Sequence, residues 1–439
     1  MTLSDQARAL ASGETTSRAL VEASLDAIAR DPRPFTAVFA DEARAAAAAA
    51  DRERASGDRV SQLAGLPISV KDLFEIEGLP TPASTVHLRE APIAERDAPV
   101  VSRLKGAGLI IVGRTQMSPF AFSGIGLNPH LPQAVNPRDP ERVPGGSSSG
   151  AGVSVGLGQT AASIGTDTGG SVRIPAAVCG VVGFKPTKRR ITTEGAVPLA
   201  PALDSIGPLA TTVEDCRLLD AVMADASVEH HGPVNIGGLR LGVVEDFFLE
   251  DLEPQVAQDF ERAVSRLSLQ GVTIERLGFA ALNDIPEIEA KGALVNAQAY
   301  AVHRQNGWIE QRDLYDPNVL FRLEAGGRLS SSDYLEMRWR FDALAGEANR
   351  LSEGFDALVA PTCAITAPKI AEVQEAKAFG RANSLLLRNA RIVNLIDRCA
   401  ISLPMHEAGN APTGLMLIGE TMGDARLLAV AAAIEAALA

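Results

Sequence analysis

Histidine is scarce in this 439-residue chain: there are six, and only His230 and His231 are adjacent. That pair lies in a polar, turn-like stretch that suits exposed loop histidines, so no metal site is expected. The four cysteines, Cys179, Cys216, Cys363 and Cys399, form no CxxC pair, which excludes both a disulfide framework and a zinc site. No run of eighteen apolar residues occurs, and the opening MTLSDQARAL has neither a charged leader nor an apolar core, so no membrane span and a cytoplasmic location are expected. Basic residues number 41 against 54 acidic ones, a net charge of -13, and such a surface cannot displace the counterions of a nucleic acid. Neither GxxxxGK[ST] nor a GxGxxG following a strand is present, and no cofactor is expected.

What is present reads as an ordinary globular protein, 46% hydrophobic and 22% charged. Val21, Leu25 and Ile28 give one apolar helix face between Thr16 and Arg30, and an alanine-rich helix follows to about Arg54. In Leu66-Pro-Ile-Ser-Val-Lys71 the residues alternate as in a strand, which places Lys71 at its end. Leu109 to Val112, Leu239 to Val244, Val272 to Leu277, Ala357 to Ala360 and Leu415 to Ile418 read as buried strands, with helices such as 101–106 and 255–270 among them. No repeat or linker divides the chain, so one domain over residues 1–439 is expected, and His230 to Gly238 reads as a surface loop joining two halves of one sheet.

The stretch from Pro144 to Thr187 is dense in Gly and Ser yet carries Val153, Val155, Ile164, Val181 and Val182, which marks a buried, tightly turned segment rather than a linker. Small residues let backbone N–H groups converge, and Thr168, Gly169, Gly170 and Ser171 are candidates for an oxyanion hole. Two matches to GxSxG, around Ser148 and Ser154, show how little that pattern means in a Gly/Ser-rich run.

Three blocks carry a resemblance: PGGSSSG at 144–150, GTDTGGS at 165–171 and PAAVCGVVGFKPT at 175–187. They closely resemble the amidase signature family, and GLPISVKDLFEIEGLPT at 65–81, 97–117, 203–219 and 401–420 are similar as well. The resemblance implies a single large α/β domain with a central mixed β-sheet covered by helices on both faces. Its signature core spans about 60–220, with a variable substrate-pocket region at about 225–355. The resemblance also implies a catalytic Lys71, a bridging Ser147 preceded by a cis peptide from Gly146, and a nucleophilic Ser171. The corresponding activity is hydrolysis of a small-molecule amide through an acyl-enzyme.

That chemistry is physically coherent, because serine needs a base and no histidine lies in these blocks. Lysine serves only when neutral, which burial favours, whereas arginine does not deprotonate. Only seven of the 41 basic residues are lysines, so a lysine at 71 is notable; the bland reading is a snorkelling surface residue. Lys185 is a rival base with a structural contact as its expected role. Met117, Gly146 and Arg173 are candidate substrate contacts, with pairing to Asp167 the alternative for Arg173. Between Asn296 and Arg340, Tyr300, Trp308, Tyr315, Phe321, Tyr334 and Trp339 suit an apolar pocket or plain core. Arg304, Arg312, Arg322, Arg328, Arg338 and Arg340 equally permit a substrate carboxylate. Two competing functions are the glutaminase subunit of a tRNA-dependent amidotransferase and a non-catalytic binding protein on the same fold. The expected partner is a small-molecule amide, and a homodimer is left open.

Overall fold

A computed structural model describes residues 1–57, 61–226 and 234–439. Its eleven strands are β1 (Phe35–Val38), β2 (Pro67–Lys71), β3 (Ile110–Thr115), β4 (Ala162–Asp167), β5 (Val182–Lys185), β6 (Ser205–Ala210), β7 (Arg240–Val244), β8 (Thr273–Leu277), β9 (Ala357–Pro361), β10 (Ala400–Pro404) and β11 (Gly414–Ile418). All join one mixed sheet in the order β1-β3-β2-β4-β6-β5-β10-β11-β9-β7-β8. Pairs β2/β3, β2/β4, β7/β8 and β7/β9 are parallel and the rest antiparallel. Every residue of β2 through β6 is buried, which requires cover on both faces, and helices supply it.

The expected elements occur with small shifts. Ser17–Arg30 is helical with Thr16 as its N-cap, and Ala40–Ala55 and Pro254–Leu269 are the next two anticipated helices. One strand differs in length. Gly113 does not close β3, which runs on to Thr115 because β1 pairs there; a Cβ at Gly113 would sit 2.5 Å from the Ala37 carbonyl oxygen. Of the loop expected at His230 to Gly238, Ile236–Gly238 forms a short 3-10 turn, while His230, His231 and the positions up to 233 lie outside the described residues.

Candidate active site

Strands β2 and β4 run parallel and end side by side, and the candidate residues gather at their carboxyl ends, where open α/β sheets present ligand crevices. Lys71 is the last residue of β2 and is wholly buried. Its Nζ lies 2.8 Å from Ser147 Oγ and 2.9 Å from Thr166 Oγ1. Burial drives the Lys71 pKa down to about 7, the charges of Asp167 and Asp204 opposing that fall without cancelling it. Alternation along β2 places Lys71 opposite Val70 in facing, yet both faces are covered, so the polar face is as dry as the apolar one.

Ser147 follows a cis peptide from Gly146, and its carbonyl accepts from the Ser118 amide at 3.1 Å. The Ser148 amide donates to the Ser171 carbonyl at 3.2 Å, tying the two serine-bearing turns together. Ser171 is 4% exposed and stands at the foot of the Arg173–Cys179 helix. Gly170 just before it has φ +123°, and a Cβ there would lie 2.7 Å from both Ala390 Cβ and Ile174 Cδ1, so only glycine fits.

Asp167 fixes this turn. Its carboxylate accepts from the amides of Gly170 at 2.7 Å and Val172 at 3.2 Å, from Arg173 Nε and Nη2 at 3.0 and 2.9 Å, and from Asn394 Nδ2 at 2.9 Å. Burial alone would raise its pKa; the Arg173 charge and hydrogen bonds, with Lys185 nearby, hold it well below the usual carboxylate range. The consequence for the expected oxyanion hole is specific. Because the Gly170 amide is bound to Asp167, it is turned inward, whereas the amides of Gly169 and Ser171 have no internal acceptor among the described residues. The Thr168 hydroxyl donates to Asp204 at 2.5 Å, which also receives the Leu199 and Ala200 amides.

Ser171 opens onto a cavity of about 260 Å³ walled by Ala121–Ser123, Thr168 and Gly169, Leu199 and Leu203, part of 289–296, Arg322 and one side of the Ala376–Leu395 helix. Three expected contacts do not reach it. Arg173 is fully buried and its guanidinium is taken by Asp167, Asn394 and Met416 Sδ, so it is unavailable to a substrate. Met117 is fully buried, its amide on Ser84 and its carbonyl on Asn128. Gly146 packs its backbone against Ser123 and Gly126, where a Cβ would come within 2.7 Å of both. The rival Lys185 is buried with Nζ donating to the Pro186 carbonyl at 2.8 Å, and neither serine is among its hydrogen-bond partners.

Of the stretch from Asn296 to Arg340, only Asn296 and Arg322 line the cavity. Tyr315 is buried instead in an aromatic cluster with Phe120, His303 and Trp308, and Phe321 and Trp339 face solvent. Thr166, Asp204 and Asn394 were missed from sequence. For Thr166 a signal existed: it precedes the GTDTGGS aspartate on β4, the strand paired with that of Lys71.

The fold is that of an amide-hydrolysing α/β enzyme, and at the ends of its strands a buried lysine lies against a serine. The family model described as Amidase matches residues 19–428, and the chain belongs to that amidase signature family. A 2-amino-5-chloromuconic acid deaminase of Comamonas testosteroni is 36% identical over 99% of this chain and 96% of that protein. A glutamyl-tRNA(Gln) amidotransferase subunit of Roseiflexus sp. (strain RS-1) is 33% identical over 99% and 96%. A solved amidase structure superposes with TM-score 0.91 at 32% identity, covering all of both chains. The protein is accordingly a hydrolase of amide carbon–nitrogen bonds. Among the described residues no helix is long and apolar enough to cross a membrane.

Proposed function

We propose that the protein hydrolyses a small-molecule amide through an acyl-enzyme on Ser171, with Ser147 relaying its proton to neutral Lys71. The observation that carries this reading is the Lys71 amine, sealed from solvent, 2.8 Å from Ser147 Oγ and with no carboxylate on it. Neutral Nζ accepts the Ser147 proton while donating to Thr166 Oγ1, which aims its lone pair at the relay. As Ser171 attacks the carbonyl, its proton passes to Ser147 and the Ser147 proton to Lys71. The amides of Gly169 and Ser171 serve the oxyanion, each such donor typically supplying about 2.7–4 kcal/mol. The proton returns along the same path to the leaving nitrogen, and water then releases the carboxylate product.

Ser171→Ala is expected to abolish acyl-enzyme formation, read by mass spectrometry after brief incubation with amide. Accumulation of the adduct in that variant moves the nucleophile elsewhere. The glutaminase reading has the 33% identity to a glutamyl-tRNA(Gln) amidotransferase subunit behind it. Glutamine hydrolysis by the protein alone, with gel filtration to show what it assembles with, separates that reading from a free-standing amidase.

A further inference from the structure

We infer that Arg322 anchors a substrate carboxylate, so that the substrate is a small amide carrying a second, ionised carboxyl group. This rests on the Ser171 amidase reading and names the class of amide. Arg322 projects from the Pro317–Gly327 helix into the wall of the cavity that holds Ser171. Its Nε and Nη2 atoms are buried without a hydrogen-bond partner, and the side chain enters no ion pair among the described residues. A buried guanidinium left in this state is costly, whereas one that meets a carboxylate forms two parallel charge-assisted bonds.

The surroundings sharpen the sign. The other charged residues on the cavity, Glu289 and Arg391, are paired with each other, which leaves Arg322 as the uncompensated charge. Asp316, the acid whose charge acts on it, spends its carboxylate on the Asn318 and Val319 amides at the start of the same helix. Burial lowers the Arg322 pKa to about 10, still far enough above neutrality to keep the cation. The Phe122 ring covers one guanidinium face at 4.8 Å, and Phe122 belongs to the Ala121–Ser123 wall, so the cation is held at the cavity edge. A cavity of about 260 Å³ is small beside the roughly 300–1,000 Å³ of sites for drug-sized ligands, which restricts the acid to a short one.

The test compares half-amides of four- to six-carbon dicarboxylic acids with uncharged amides of the same chain length. Wild type is expected to favour the half-amides in kcat/KM by about 100-fold, and Arg322→Met to erase that ratio mainly through KM, with Arg322→Lys in between. Because buried Nε and Nη2 of Arg322 lack hydrogen-bond partners and the side chain enters no ion pair among the described residues, Arg322→Met is expected to keep or raise Tm, a readout that a structural role would move the other way. Equal kcat/KM for both series in wild type overturns the anchor and leaves the amidase reading standing. Hydrolysis of neither series, with no fluorophosphonate labelling of Ser171, fails the amidase reading. Calorimetric titration of succinate, glutarate and adipate then judges the anchor by itself: about 100-fold weaker binding to Arg322→Met supports it, and equal binding overturns it.

Discussion

The strongest quantitative handle is the ionisation of Lys71. With its pKa near 7, about half of the lysine is neutral at that pH, about a tenth one unit lower and about a hundredth two units lower. The kcat/KM profile for an amide is therefore expected to fall tenfold per unit on an acid limb centred near pH 7, with slope one. The same ionisation marks stability. Unfolded lysine titrates near 10.4, so between about pH 7 and 10.4 the unfolded chain holds the extra proton and stability from this group rises with pH across that window. A gap of about 3.4 pK units at 1.36 kcal/mol each bounds the change at roughly 4–5 kcal/mol. Urea unfolding at several pH values reads it, and Lys71→Met is expected to flatten the rise as it removes turnover at every pH. An acid limb above pH 9, or one that survives in the Lys71→Met variant, refutes the neutral-lysine mechanism.

Lys185→Ala is expected to lower stability while leaving the acid limb in place; movement of the limb transfers the base to Lys185. Arg173→Met strands the Asp167 carboxylate in a dry interior, and urea denaturation is expected to show a loss of about 3–5 kcal/mol. Thr166→Val removes the second contact of Lys71 Nζ, and the expected result is a lower kcat at the pH optimum with little change in KM. Gly126→Ala, at φ +88° and with its Cβ 2.2 Å from the Gly145 carbonyl oxygen, is expected to displace the turn carrying Ser147 and to depress kcat, measured beside Tm.

How much of this was legible in the sequence differs by element. The apolar strands β7, β9 and β11 could be read because a dry strand in an α/β sheet is a continuous apolar run, whereas β8, also read as buried, is a partly exposed edge strand carrying Thr273, Glu275 and Arg276. Strands β4 and β6 were not named, since AlaSerIleGlyThrAsp and SerIleGlyProLeuAla carry too few branched residues to announce themselves; their β-conformation comes from pairing with each other along six residues. At the site, the motif blocks located Lys71, Ser147 and Ser171, and the structure brings Lys71 and Ser147 into contact and ties the Ser147 turn to that of Ser171. The cavity was less legible. One wall comes from the helix Ala376–Leu395, far from the expected pocket stretch, and nothing in its sequence reports that its side faces Ser171. Six arginines between 304 and 340 looked alike, and what separates Arg322 is burial without a partner, a property of the assembled wall.

Arg173 shows why a charge beside the proposed nucleophile need not touch substrate. In the proposed relay Lys71 must be neutral to accept a proton, yet a bare Asp167 carboxylate nearby would favour its charged form. The carboxylate is needed all the same, because it holds the Gly170 and Val172 amides and thereby shapes the turn that presents Ser171. Arg173 reconciles the two demands. Its guanidinium forms a two-pronged pair with Asp167, so the turn keeps its anchor while the adjacent positive charge offsets part of the field that the carboxylate sends to Lys71. Lys185 on β5 also acts on this carboxylate, while its own burial and the Arg173 charge push the Lys185 pKa down. Arg173 and Lys185, which sequence reading offered as a substrate contact and a rival base, thus both act on the carboxylate beneath Ser171, and in the proposed relay that action favours a neutral Lys71.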